Sequence, residues 1–316
     1  PTTTSTFSAA PLALLLWGIL PLSEDQHKWW SKAYQLFAKL VVMLSATAFT
    51  FLLYAGPMDF KGFEIAQGRK LFCRLSLPAG ALLVSLPFLL LRHQTQLDEA
   101  FQLVQAVSVR RQYEAWSQRQ ARRDRLVFVL LWIGVVVATA MDTYISGDRC
   151  LEHVVLHSAL SAICGGVSLS LSYAVVFVAR SLTTMIDAFC CDVVGQTDLH
   201  EVAYVWNLTQ AVLRKTSSSL EFGLLAVSLV MLVMVPLLAA DVSLLGTRGV
   251  LSRPLLPGLF LTAVIAYVLL QASMISEKCS RVPALINAIS FGAGTDRERQ
   301  RTVDYITSSD AGFYVF

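Results

Sequence analysis

Six apolar runs, each long enough to cross a bilayer as a helix, leave this sequence few folds to choose from. They fall at about Ala33–Tyr54, Leu71–Leu91, Leu126–Ile145, Val154–Val178, Leu220–Leu245 and Leu255–Ser276. A hydrocarbon core of roughly 30 Å takes about 20 helical residues at about 1.5 Å each. Unbroken stretches such as LVFVLLWIGVVVATAM lack the alternation of a membrane-barrel strand, and a helix satisfies its own backbone groups in lipid. Composition agrees, with 55% of the 316 residues hydrophobic and 15% charged, far to the apolar side of soluble domains. The expected fold class is therefore all-α, a polytopic membrane protein. Pro11–Leu22 (PLALLLWGILPL) is too short to span. It follows a Ser/Thr-rich stretch and reads as an interfacial or re-entrant helix, with a cleavable signal peptide as the competing reading.

Basic residues orient the bundle. With the amino terminus in the cytoplasm, Arg110, Arg111, Arg119, Arg122, Arg123 and Arg125 lie inside, as do Arg180, Arg214, Lys215, Lys278, Arg281, Arg297, Arg299 and Arg301. The outer side receives far fewer, namely Lys61, Arg69, Lys70, Arg149, Arg248 and Arg253. The positive-inside rule thus places both ends of the chain in the cytosol. The connections at 92–125 and 179–219 are the long ones, and both carry apolar residues at helical spacing: Leu97, Phe101, Val104 and Val107 in one, Val202, Val205, Trp206, Val212 and Leu213 in the other. Spans three to six are expected to continue as cytosolic helices that pack together, the alternative being amphipathic helices lying on anionic lipid. The layout is then a cytosolic segment 1–32 with the interfacial helix, a membrane domain 33–276, a cytosolic region 277–310, and the beginning of a further helix at 311–316.

Recognisable catalytic machinery is missing from the sequence: it contains no Walker loop, G-x-S-x-G, H-E-x-x-H or G-x-G-x-x-G. An enzyme is not expected, nor a cofactor, a metal or a nucleic-acid partner. Glu152, His153 and His157 form E-H-x-x-x-H, but no further ligand completes a metal site, and a polar pair facing a pore mouth or ligand is the favoured reading. Cys73 and Cys150 fall near the outer surface, where a bridge is open to them, while Cys190, Cys191 and Cys279 fall inside, where disulfides are rare. The sequon at Asn207 is cytosolic in this topology and should carry no glycan. Ionisable groups within lipid are costly and become functional candidates. Asp142 and Asp241 are two such groups, grouped with Phe72, Tyr144, His157, Ser161, Phe260 and Tyr267 as the lining of an outward-facing cavity for a small organic ligand. Snorkelling or helix capping is the alternative for each of these residues. The Ser- and Gly-rich fourth span suits close helix packing, or the polar wall of such a cavity.

PLALLLWGILPL before the first span, the inverted topology, short outer and long helical inner connections, and SEKCSRVPALINAI followed by DAGFYVF resemble the insect gustatory and odorant receptors and their gustatory receptor-like relatives. The resemblance implies a seven-helix chemosensory subunit of a tetrameric, ligand-gated, non-selective cation channel in the plasma membrane, as a homotetramer or a heteromer with related subunits. It implies that Glu277–Ser309 matches the anchoring region, with Arg281, Leu285, Ile286, Ile289 and Tyr305 as assembly candidates. Ala311-Gly312-Phe313 matches the turn into the last helix, which lines the pore and would follow Phe316, so six of seven spans are read here and pore residues stay unassigned.

Two other classes are weighed against this reading. A G-protein-coupled receptor predicts an external amino terminus and an Asp-Arg-Tyr-like motif after the third span, whereas Asp124-Arg125 precedes that span. A transporter or a scaffold without channel activity remains the second alternative. No internal repeat supports a transporter, and Pro78 and Pro87 interrupt one span only.

Overall fold

The computed structural model describes residues 114–145, 151–195, 199–245, 255–289 and 296–309. The first two spans, the Pro11–Leu22 helix, the 92–113 stretch, Phe72, Cys73, Cys150 and the DAGFYVF segment lie outside the described residues.

Among the described residues there are helices and no strand: α1 (Glu114–Ile145), α2 (Leu151–Gly195), α3 (Leu199–Leu245), α4 (Leu255–Ala288) and α5 (Asp296–Ser308). The all-helical expectation holds there, and so does the helical reading of the 179–219 connection, which α2 enters as far as Gly195 and α3 leaves from Leu199. At 45 and 47 residues, α2 and α3 are each about 70 Å long, roughly twice the hydrocarbon thickness. A helix of that length in a bilayer must leave a long part of itself in water.

The outward-facing side chains show where that change of solvent falls. Along α1, Arg123 and Arg125 are exposed, and they are followed by an exposed apolar row of Leu126, Leu130, Ile133, Val137, Met141 and Tyr144. On α3 the exposed residues run from Glu201, Asn207, Arg214 and Lys215 to Leu225, Leu232 and Val235. On α4 they run in the reverse order, from Leu259, Leu270 and Met274 to Glu277, Ser280 and Arg281. In water an outward stripe is polar. Here one end of the bundle wears a polar surface and the other an apolar one, the pattern a lipid-facing helix needs. Windows long and apolar enough to cross a membrane occur among the described residues at Arg123–Met141 and at Ser172–Val194. The second is 56% buried against 11% for the first, so its apolarity serves the protein interior more than lipid.

α2 is the central helix. From Ala162 to Ile186 every α2 side chain that is described is buried or half-buried, and the helix packs against α1, α3 and α4. The two ends of the bundle must be held differently, because lipid supplies no hydrophobic drive to pack one helix on another. In the apolar end α1 and α2 meet through a small-residue contact: Trp132 Nε1 donates to the Ala162 carbonyl at 2.8 Å, and Gly165 lies under Trp132 and Val135. In the polar end water does supply that drive. Phe189, Trp206, Leu213 and Ile286 are each at most 1% exposed, and each such side chain contributes about 1.5–3 kcal/mol relative to exposure. The Phe189 and Trp206 rings sit 5.2 Å apart.

Candidate functional site

Two polar assemblies organise the described structure. The first lies where the outward surface changes character. Arg180, on the central helix α2, forms an ion pair with Asp124 of α1 and donates to the Tyr267 hydroxyl of α4. Its Nε also reaches Gln271 Oε1 of α4 at 3.4 Å, and the guanidinium carbon lies 5.8 Å from the centre of the Tyr267 ring. The Arg180 and Asp124 side chains are 24% and 12% exposed. One guanidinium thus serves partners on two other helices and joins three, which its fixed fork of donors permits and a lysine ammonium would not reproduce. Arg125 neighbours this group and hydrogen-bonds Tyr173, whose ring meets Phe128 edge-on at 5.4 Å.

The second assembly sits in the polar end, around α5. This helix has 13 residues, too few to persist alone in water, and it buries only Thr302 and Ile306. Polar contacts hold its ends. Near its start, Arg299 pairs with Asp296 at 3.0 Å and reaches the Ile289 carbonyl, just past the end of α4, at 3.4 Å. Just past its own end, Ser309 receives three side chains from α3: Trp206 Nε1 on its hydroxyl at 3.0 Å, and Gln210 Nε2 and Arg214 Nη2 on its carbonyl, the latter at 3.1 Å. Residues four apart stack on one helical face, so the sequence spacing of Trp206, Gln210 and Arg214 is what aims them together. An arginine at a helix carboxyl end also complements the helix dipole. Tyr305 adds a hydrogen bond to Asn207 Oδ1, and Lys278 of α4 bonds Asp187 of α2.

The candidate ligand residues are spread along the bundle. The side chains of Asp142, His157, Ser161 and Asp241 fall outside the described residues, although their backbones belong to α1, α2, α2 and α3. Tyr144 is 67% exposed on the outward face of α1. Phe260 is half-buried against the core, with its ring facing Gly134. Tyr267 stands at the level of Asp124 through their shared Arg180. Positions 124 and 144 of one helix are about 30 Å apart, so Tyr267 and Tyr144 do not share a wall of one small cavity. Phe260 and Tyr267 lie on one face of α4, two turns and about 10 Å apart along it.

The anchoring candidates divide in a similar way. Ile286 is fully buried within this chain, and Ile289 packs against the same core. Leu285 is half-buried. Arg281 is exposed and pairs along α4 with Glu277, and Tyr305 is 42% exposed. Sequence reasoning met Asp124, Arg180, Trp206 and Arg214 only through motif, charge or spacing and read neither them nor Gln271 and Gln210 as site residues. The available signal was Arg180 itself, the one basic residue between Arg149 and Arg214, and the four-residue spacing of the row.

Cys279 is buried beside Cys190, and burial followed by that neighbour pushes its thiol up to about 12. It is a packed, neutral core residue. Among the described residues no cluster of His, Cys, Asp and Glu could hold a metal.

No family model matches the sequence, and no curated protein matches it either. Solved structures do match. The insect olfactory receptor OR5 from Machilis hrabei aligns with a TM-score of 0.67 at 13% identity, covering 97% of this chain and 89% of the receptor. The same receptor in complex with eugenol aligns with a TM-score of 0.68 at 10% identity and the same coverage. At such identity the likeness is one of fold, and it extends over nearly the whole chain. The chain has the fold of the insect olfactory receptors.

Proposed function

From that shared fold, we propose that this chain is a chemosensory receptor subunit of a ligand-gated, non-selective cation channel, with a small organic ligand bound in an outward-facing pocket within the membrane. The observation that carries the reading is the alignment over 97% of the chain with a receptor also seen in complex with eugenol. The change from an apolar to a polar outward surface along α1, α3 and α4 supports a plasma-membrane protein whose polar end faces the cytosol, the side to which the basic residues assign it. Exposed Tyr204 and Leu208 on the polar part of α3 support assembly, because large apolar side chains on a water-facing helix suit burial against another subunit. A homotetramer, or a heteromer with related subunits, follows on this reading. Of the ligand candidates, Phe260 has the best support, being apolar, half-buried and turned toward α1.

The test is whole-cell recording from cells expressing the full-length protein, with and without a panel of volatile aromatics that includes eugenol. A cation current that rises with at least one ligand is the expected result. Surface-localised protein that carries no current, basal or evoked, would overturn the channel reading.

A further inference from the structure

Helix α5 is tied at both ends to different partners. Arg299, in its first turns, reaches the carbonyl of Ile289 just past the end of α4, at 3.4 Å. Its carboxyl end is held at Ser309 by Trp206, Gln210 and Arg214 of α3. Ser309 is well suited to this, because its hydroxyl accepts from Trp206 while donating to the Ile306 carbonyl at 2.6 Å, and its own carbonyl takes two donors. α5 buries Thr302 and Ile306 and half-buries Val303 against the core, with its packing more extensive on α4 than on α3, so the bonds at Ser309 are what tie it to α3. A short helix with little buried surface takes its position from whatever bonds its ends.

We propose that the α3 row Trp206, Gln210 and Arg214 is a positioning latch that makes the carboxyl end of α5 move with α3, so that α5 acts as a tie-bar between α4 and α3. A shift of α3 relative to α4 is then delivered to Ser309 instead of being lost in a loose connection. The link is discrete: the donors on Ser309 are either engaged or replaced by water. Trp206 is fixed in its rotamer by complete burial against Phe189, whereas Arg214 is exposed and is the member able to let go first. The consequence for ligand response rests on the receptor reading above. The latch itself does not.

The experiment is hydrogen–deuterium exchange on the full chain in lipid nanodiscs, comparing wild type with Gln210→Met/Arg214→Met, which keeps side-chain length and removes both donors to the carbonyl. Amides at 303–309 should exchange about tenfold faster, while those at 175–189 in α2 keep their protection and the thermal midpoint stays unchanged. Gln210→Met with Arg214→Lys should recover most of the protection, because an ammonium also donates to a carbonyl. Basal and eugenol-evoked currents are recorded on the same variants, with an altered basal current expected. Wild-type exchange at 303–309 in the double variant, an equal rise in α2 and α5, or no recovery with lysine would each overturn the latch. A silent wild-type channel would instead count against the receptor reading and leave the exchange result standing as the judge of the latch.

Discussion

Removing the arginine at the junction of three helices gives a measurement whose size follows from the geometry. Arg180→Met keeps most of the stem but takes away the ion pair with Asp124, the hydrogen bonds to Tyr267 and Gln271, and the contact with the Tyr267 ring. The larger part of the cost is the charge left behind on Asp124, whose side chain is only 12% exposed. Stranding one partner of a fully buried pair costs about 3–5 kcal/mol. Arg180 is 24% exposed, so water can partly replace it, and we expect about 2–3 kcal/mol after that screening. For a chain of 316 residues that is a fall of roughly 3–5 °C in thermal midpoint. Asp124→Leu alone strands the arginine at a similar cost, whereas Asp124→Leu/Arg180→Met removes both charges and should cost less than either single change. The coupling from the double-mutant cycle is then at least as large as one single effect, about 3 kcal/mol. Midpoints measured by scanning fluorimetry in one fixed detergent would supply all four corners of the cycle. Single effects that add to the double within about 0.5 kcal/mol would show that the two residues do not sense each other, and the reading of Arg180 as the knot of α1, α2 and α4 would fall.

Two further expectations are simpler to check. The Asn207 sequon lies on the polar end, where Asn207 accepts a hydrogen bond from Tyr305; in cells the chain should show no mobility shift on glycosidase treatment or on Asn207→Gln, and a shift on either would reverse the proposed orientation. Cys279 keeps its proton until about pH 12, so raising the pH from 8 to 10, which ionises an ordinary thiol, should leave it unmodified by maleimide in the folded chain, while exposed Cys191 reacts readily. Mass spectrometry of the two peptides before and after unfolding decides this, and native labelling of Cys279 would show that the α2–α4 contact is open.

What could be read from the sequence, and what could not, separates by the range of the interaction. Runs such as Leu126–Ile145 specify helices locally, since each residue needs only its own neighbours and an apolar surround. The polar extension of α3 was also legible, because Val202, Val205, Val212 and Leu213 repeat at helical spacing, and Val202, Val212 and Leu213 are in fact buried. Arg180 was visible as a basic residue but not as a knot, since its partners lie 56, 87 and 91 positions away, and no local pattern encodes such distances. Tyr267 shows the cost of that blindness. Grouped with outer aromatic residues by its expected depth in the span, it stands beside an ion pair at the level where α1 turns basic.

The two polar assemblies constrain how the bundle can move. Arg180 binds α1, α2 and α4 to one another with interactions worth far more than thermal energy, so these three helices respond to a force as a unit near the level of Asp124. The row on α3 points elsewhere, toward Ser309, and α4 reaches α5 through Arg299. A change in the apolar end that tilts α3 against the Arg180-bound unit therefore strains α5 at one of its two ends. Three side chains grip Ser309, whereas the amino end of α5 is held by Arg299 on the Ile289 carbonyl and by packing that is more extensive on α4 than on α3. The two ends of α5 are therefore held to different helices by different means. Arg299→Gln should accordingly loosen residues 296–300 while leaving 303–309 as protected as in the wild type, and exchange that rises along the whole of α5 would show that its two ends are not separately held.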